Sequence, residues 1–288
     1  MKSNPADFEI INPDDLYDAT MILEKDPSIT PIAGGTDLMV LFEAGKLPKG
    51  KYLNLWNLAD LKKIELNKAE MVIGAGVTYS MIRKSRTLQE EFPMLVEAAK
   101  VTGAPAIQNR GTIGGNIVNA SPAADSPPAL LCYDTEVELT SAEGERWVSY
   151  QDFHHDYKKM DRKKNEILTR IRIKRNTLGL KQFYYKVGTR KAQAISKVCF
   201  AMTAKLNNDG RFEHIRIALG SVAPIPLRCF KTEQFLQGKK LRDALIKTAQ
   251  EGLAQEINPI DDVRSTGDYR QKVAQNLLGH YMETLKGK

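Results

Sequence analysis

The spacing of apolar positions changes period along the chain, and the changes mark its elements. Phe8 to Pro13 reads as a short strand running into a turn. A helix is predicted from Pro13-Asp14-Asp15, where proline suits the first turn and carboxylates face the positive end of the dipole. Leu16, Ala19 and Leu23 share one face of it. Ser28 to Ala33 is a short apolar strand broken by Gly34-Gly35. Thr36 is the expected N-cap of a helix that Gly45 ends. Tyr52 to Trp56 returns as a strand. Strand, glycine turn, helix and strand make a βαβ unit, with loop amides and a helix N-terminus at the carboxyl end of a strand.

Beyond residue 56 the period alternates between 2 and 3.6. Leu61 to Leu66 and Glu70 to Ala75 pair as strands across Asn67-Lys-Ala, and Thr78 or Ser80 caps the helix that follows. Phe92 to Lys100 is amphipathic, and Pro127-Pro128 opens a further helix. Val137 to Thr140 and Glu145 to Ser149 form a hairpin about Glu143-Gly144, and Glu166 to Ile173 alternates as a strand. The last part holds three strands, Lys181 to Val187, Ser196 to Leu206 and Arg211 to Leu219. A turn at Asn207-Asn-Asp-Gly210 joins the last two. Helices follow at Leu241 to Gln255 and Tyr269 to Leu285, the second apolar at Tyr269, Val273, Leu277, Tyr281 and Leu285. The fold class is α+β.

At 288 residues with 42% hydrophobic and 27% charged content, the chain has ample length for a core and the balance of a soluble globular protein. No apolar run has membrane-spanning length, and the start lacks a signal core. Cys132, Cys199 and Cys229 lie far apart without a C-x-x-C. That spacing builds neither a metal centre nor a disulfide framework and suits a reducing cytoplasm. The net charge of +7 is concentrated between Lys158 and Arg175. No aromatic interleaving or reading module accompanies it, which argues against a nucleic-acid partner. The expectation is a solvated loop followed by an edge strand with a charged outer face, with an acidic partner surface left open. Adjacent strand residues point to opposite faces, so His154 and His155 are not a metal pair.

Two stretches exceed what packing requires. Residues 31–38 read P-I-A-G-G-T-D-L, and residues 110–128 read R-G-T-I-G-G-N-I-V-N-A-S-P-A-A-D-S-P-P. Adjacent glycines admit positive φ and close approach of a ligand to the backbone, and consecutive amides can converge on an anion. Two such loops suggest one ligand with two phosphates, held from both sides. They are not the G-x-G-x-x-G fingerprint. Its nearest approach, Gly74-Ala-Gly76, has Tyr79 where a third small residue belongs.

These motifs resemble the FAD-binding (medium) subunit of molybdenum hydroxylases, the xanthine dehydrogenase and carbon monoxide dehydrogenase family. The resemblance covers nearly the whole chain and is weaker in the last hundred residues, where K-V-G-T-R-K-A-Q-A-I-S at 186–196 and A-L-G-S-V-A-P-I-P-L-R at 218–228 carry it. It implies a two-lobed PCMH-type FAD-binding domain over residues 1–176, with lobes of about 1–55 and 56–176. Residues 177–288 would form a C-terminal domain with a three-stranded antiparallel sheet on helices. The implied FAD contacts are Ile32, Ala33, Gly34, Gly35, Thr36, Asp37 and Leu38 in one loop and Thr112, Gly114, Gly115 and Asn116 in the other. Asp125 would serve the adenosine side, Leu168 would lie beside the isoalloxazine ring, and Lys186 would stand at the ring's pyrimidine edge. Read alone, Asp125 is equally a helix N-cap, Leu168 a core residue and Lys186 a surface lysine.

The implied activity is that of an oxidoreductase subunit with no catalytic or metal-ligating residue of its own. Electrons would pass from a small 2Fe–2S subunit, reduced by a large molybdopterin subunit, through FAD to NAD or another acceptor. A dimer of heterotrimers is the implied assembly. Many relatives carry an acidic residue about where Gln193 or Ala194 falls, so its absence leaves the acceptor open. No cysteine cluster is inserted, so the additional iron–sulfur centre of the benzoyl-CoA reductase branch is expected to be missing. The alternatives are a free-standing FAD-dependent oxidase of related fold and a basic non-enzymatic scaffold that docks nucleic acid.

Overall fold

The structure is a computed structural model that describes residues 3–190 and 193–287; Met1 and Lys2 of the N-terminal reading, and Lys191 and Ala192 within 186–196, lie outside the described residues. Phe8–Ile11 (β1), Leu16–Lys25 (α1), Thr30–Ile32 (β2), Leu38–Glu43 (α2) and Gly50–Asn54 (β3) come first. β1 and β2 both run parallel to β3, as short βαβ crossovers require. The cap of α1 is Asp15, whose carboxylate accepts from the Asp18 amide, so Pro13 lies just outside the helix. The cap of α2 is Asp37 rather than Thr36, and no side-chain bond completes it.

Ile64–Leu66 (β4) and Glu70–Gly74 (β5) lead into short helices at Tyr79–Lys84 (α3), Arg86–Glu91 (α4), Pro93–Val101 (α5), Pro105–Arg110 (α6), Ile113–Val118 (α7) and Pro127–Cys132 (α8). Thr78 caps α3 through its hydroxyl. Glu136–Ser141 (β6), Gly144–Ser149 (β7), His154–Asp156 (β8), Lys159–Met160 (β9) and Ile167–Lys174 (β10) follow. The sheet order is β4-β5-β10-β6-β7, antiparallel throughout. β10 is therefore central, not an edge. Its arginines are neutralised across the sheet: Arg170 by Glu138 and Glu145, Arg172 by Glu136 at 2.9 Å. Just past the strand, Arg175 pairs with Glu91 at 2.7 Å.

A bulge interrupts β10 between Leu168 and Arg170, so Ile167, Leu168 and Thr169 are all buried where strict alternation would expose one. Ile167 joins the small core of Ala19, Leu23, Leu53 and Leu61, while Leu168 joins the larger core built on α5, α8 and β5. One kink thus feeds two cores, and the cleft opens between them.

Lys181–Val187 (β11), Val198–Leu206 (β12) and Phe212–Gly220 (β13) match the expected strands, and Leu227–Arg228 (β14) adds a two-residue fourth to the antiparallel sheet. Phe230–Leu236 (α9), Asp243–Glu256 (α10) and Gly267–Leu285 (α11) complete the chain. α11 buries Arg270, Ala274, Leu278 and Met282; the expected stripe at Val273, Leu277 and Tyr281 flanks this seam half-buried, and Tyr269 is 44% exposed. Small Ala274 and Gly279 permit the closer approach, with Gln250 of α10 against Gly279.

Arg228 ties this sheet to α8. Its buried guanidinium donates to Glu233, to Asp134 at 2.8 Å and to the Leu131 carbonyl at 2.8 Å. Burial pushes the Glu233 carboxyl upward, and the arginine beside it opposes the shift. Arg228→Met leaves Glu233 buried and uncompensated, so urea unfolding should show a loss of about 3–5 kcal/mol, the range for breaking a buried pair from one side. An unchanged midpoint and slope would contradict the pairing.

Candidate functional site

A cleft of about 390 Å³ lies where the two lobes meet. The 33–38 loop forms one side, with Ala33, Gly34, Gly35, Thr36, Asp37 and Leu38 all lining it. The second loop forms the other side with Gly111, Thr112, Gly114, Gly115, Asn116 and Asn119, and β10 adds Ile167 and Leu168. Two segments more than seventy residues apart thus face one another across a single groove, as the paired motifs imply. Ile32 stands behind the loop: its carbonyl accepts from Leu55, and its side chain packs toward Gly35.

The two loops are not equivalent. In the second, every amide at the start of α7 is already committed. Ile113 donates to Val77 O at 3.0 Å, Gly114 to Ala75 O at 2.9 Å, Gly115 to Thr112 Oγ1 at 3.1 Å and Asn116 to Thr112 O at 3.0 Å. These hydrogens are spent within the protein: those of Ile113 and Gly114 tie the helix to the segment after β5, and those of Gly115 and Asn116 close its first turn on Thr112. Gly114 has no room for a side chain, since a Cβ would lie 2.5 Å from that of Ala75. What this loop offers the cleft is side-chain chemistry: Thr112, Asn116 and Asn119.

In the first loop, none of the amides of Gly34, Gly35, Thr36, Asp37 or Leu38 donates to another atom of the described protein. Gly35 has φ 73°, the left-handed geometry that turns successive N–H groups toward one point. Gly34 serves a different purpose, because a Cβ there would lie 1.8 Å from the Arg110 carbonyl oxygen. That carbonyl presses the second loop against the first, and the Arg110 guanidinium stacks on Trp56 at 3.7 Å.

Tyr79 closes the inner end of the cleft. Its ring is 2% exposed, and its hydroxyl points toward Ser126 yet meets no acceptor in hydrogen-bond geometry. Burial drives that phenol well above its ordinary pKa, so it stays a neutral donor. A buried donor without a partner costs about 1–3 kcal/mol. Ser126 already donates to Asn116 Oδ1 at 2.6 Å. The cleft therefore combines free amides, an unpartnered donor and apolar walls at Pro31, Leu55, Leu61, Ile167 and Leu168. That donor set fits a dinucleotide carrying a pyrophosphate and an aromatic ring.

Asp125 and Lys186 do not line the cleft; they pair with each other at 2.7 Å, their side chains 8% and 7% exposed. The resemblance places these two residues at different parts of FAD, whereas in this structure their charged groups meet each other. Asp125 is not an N-cap either: that position is Ser126. Lys186 also donates to Val101 O at 2.9 Å, and Cys199 Sγ donates to Asp125 Oδ1 at 3.3 Å. Burial raises the Asp125 carboxyl, and Lys186, Cys199 and neighbouring Thr102 hold it down. Thr102 lines the cleft, so the pair reaches the groove from behind one residue.

Sequence reading missed Arg162. It belongs to the basic stretch expected to be solvated, yet its guanidinium turns inward, donates to Glu166 O at 2.7 Å and lines the cleft beside Leu168. Among the described residues lining the cleft it is the one cation. His154 packs beneath α7, where its Nε2 donates to Ile117 O at 3.0 Å.

Removing the lysine of the buried pair gives a test. Lys186→Met should shift Asp125 further toward its protonated form and lower stability by about 3 kcal/mol at neutral pH. Because the folded pKa of Asp125 is raised above the unfolded one, the penalty should shrink as pH falls toward the ordinary carboxylate range. Denaturation at several pH values measures this, and a pH-independent loss would contradict it.

Comparison with known proteins agrees with this geometry. Residues 6–174 match the FAD binding domain in molybdopterin dehydrogenase, and residues 183–285 match the CO dehydrogenase flavoprotein C-terminal domain. The chain is 31% identical over 274 residues to the glyceraldehyde dehydrogenase medium chain of Sulfolobus acidocaldarius, covering 95% of this chain and 96% of that one. It is 30% identical over 266 residues to the xanthine dehydrogenase FAD-binding subunit of Escherichia coli O157:H7, covering 91% and 90%. A solved carbon monoxide dehydrogenase chain from Hydrogenophaga pseudoflava superposes with a TM-score of 0.90 at 26% identity over 95% of each chain. With both halves matched in order, the chain belongs to the FAD-binding medium subunits of the xanthine dehydrogenase and carbon monoxide dehydrogenase family of molybdenum hydroxylases.

Proposed function

We propose that this chain is the electron-relay subunit of a molybdenum hydroxylase, holding FAD along the cleft between its lobes. The observation that carries the reading is that the five amides of residues 34–38, in a loop that lines the cleft, donate to no atom of the described protein. Bound FAD supplies the chemistry, accepting single electrons and releasing two together as hydride. The chain's own work is positional. The 34–38 amides hold the pyrophosphate, Thr112 and Asn116 hold polar oxygens from the facing side, and Ile167 and Leu168 exclude water from the ring. Asp125 and Lys186 act as one unit behind Thr102, which lines the groove. No nucleophile or general base is required.

Electrons come from a 2Fe–2S cluster on a small partner subunit, reduced in turn by a large molybdopterin subunit, and leave to NAD or another acceptor. The assembly is a dimer of heterotrimers. Met39 and Val40 of α2 and Ile107 of α6, 51%, 66% and 37% exposed, line an apolar hollow on the outer side of the 33–38 loop. A surface of this kind beside the cofactor loop supports a docked subunit there.

Gly35→Val should weaken FAD binding roughly a hundredfold, because a branched residue is strained at this φ and fills the space where the amides converge. Tyr79→Phe should weaken it about fivefold by removing one buried donor. Fluorescence titration of FAD into the protein measures both, and unchanged affinities would contradict the assignment. Affinity isolation of the native protein should bring down chains bearing molybdopterin and 2Fe–2S clusters. A flavin-loaded monomer that turns over substrate alone would instead identify a free-standing oxidase.

A further inference from the structure

Among the described residues, one side-chain hydrogen bond joins the two glycine loops: Asn119 Nδ2 donates to Asp37 Oδ1 at 3.2 Å. Both residues line the cleft. Asn119 is also the C-cap of α7, so its position is coupled to the helix that carries Gly115 and Asn116. Its two oxygens face the other way. Lys158 Nζ donates to the Asn119 backbone carbonyl and to Oδ1, the latter at 2.8 Å. Lys158 stands between β8 and β9 in the left-handed region, φ 58°, which a non-glycine residue adopts only at some cost. The two-residue turn that joins β8 to β9 requires such a φ, and it fixes where the lysine side chain starts. From there the ammonium reaches the residue whose side chain bridges the loops.

The donor inventory makes the arrangement directional. An ammonium has donors only and an ionised carboxylate acceptors only, while a primary amide has one end of each kind. Between Lys158 and Asp37 the Asn119 amide satisfies both neighbours in one orientation, oxygen toward the lysine and NH₂ toward the aspartate. Without the lysine the amide keeps only its 3.2 Å bond to Asp37, and the link between loops loses the anchor on its other side.

We propose that Lys158 is a positioning residue of the cofactor cleft, setting the spacing of the two glycine loops through Asn119 and Asp37 without touching the cofactor. The proposal rests on FAD occupying the cleft. It assigns a role to one residue of the basic stretch that charge alone left without one.

The test follows flavin release, by recovery of fluorescence after dilution of the flavin-loaded protein. Lys158→Met should release FAD about fivefold faster, the scale of an exposed charged contact, and Lys158→Arg should restore nearly the wild-type rate. In an Asn119→Ala background, adding Lys158→Met should have no further effect, since the lysine acts through that residue. The thermal midpoint of the flavin-free protein should not move. Equal release by wild type and Lys158→Met would overturn the proposal, as would an undiminished effect in the Asn119→Ala background. So would a lowered flavin-free midpoint, which marks a merely structural role. Wild-type protein that takes up no FAD would overturn the cofactor reading itself.

Discussion

The close approach of two backbones sets the geometry of this molecule. The carbonyl of Arg110 occupies space that a side chain at Gly34 would need, with 1.8 Å separating it from where a Cβ would stand. This contact brings the small parallel sheet and the larger antiparallel sheet within reach of one ligand. Nearby features agree with it: Arg110 stacks on Trp56, Gly74 and Gly76 yield to the Leu61 backbone, and the β10 bulge sends Ile167 and Leu168 into separate cores. The cleft is what remains between two lobes packed together at small residues.

That arrangement divides labour between the glycine pairs. The second loop belongs to the scaffold. Its amides are consumed in holding α7 to the segment after β5 and in closing the helix's first turn on Thr112, and Gly114 is small because Ala75 is close. The first loop keeps its amides uncommitted and twists them through Gly35. A rigid wall facing a row of free donors suits binding an anion at little reorganisation cost, since donors are fixed before the ligand arrives.

Much of this was legible in the chain. The βαβ unit, the hairpins and the two motifs follow from local periodicity and turn chemistry. The roles of individual glycines were not, because Gly34 and Gly114 answer to residues seventy-six and thirty-nine positions away. The same holds for Asp125 and Lys186, sixty-one residues apart, whose ion pair no local pattern announces. The charged residues of β10 suggest an edge strand, yet carboxylates on β6 neutralise them in the middle of a sheet, a pairing that charge along one strand does not announce. Arg162 escaped notice for a related reason: a run of like charges hides the one member that turns inward.

The unequal division between the loops is open to direct measurement by amide hydrogen exchange with and without FAD. In the absence of flavin, the amides of residues 113–116 should already be protected and those of 34–38 should exchange fast. On addition of FAD, protection should rise at 34–38 and change little at 113–116. Protection gained chiefly at 113–116, or at neither loop, would contradict the account.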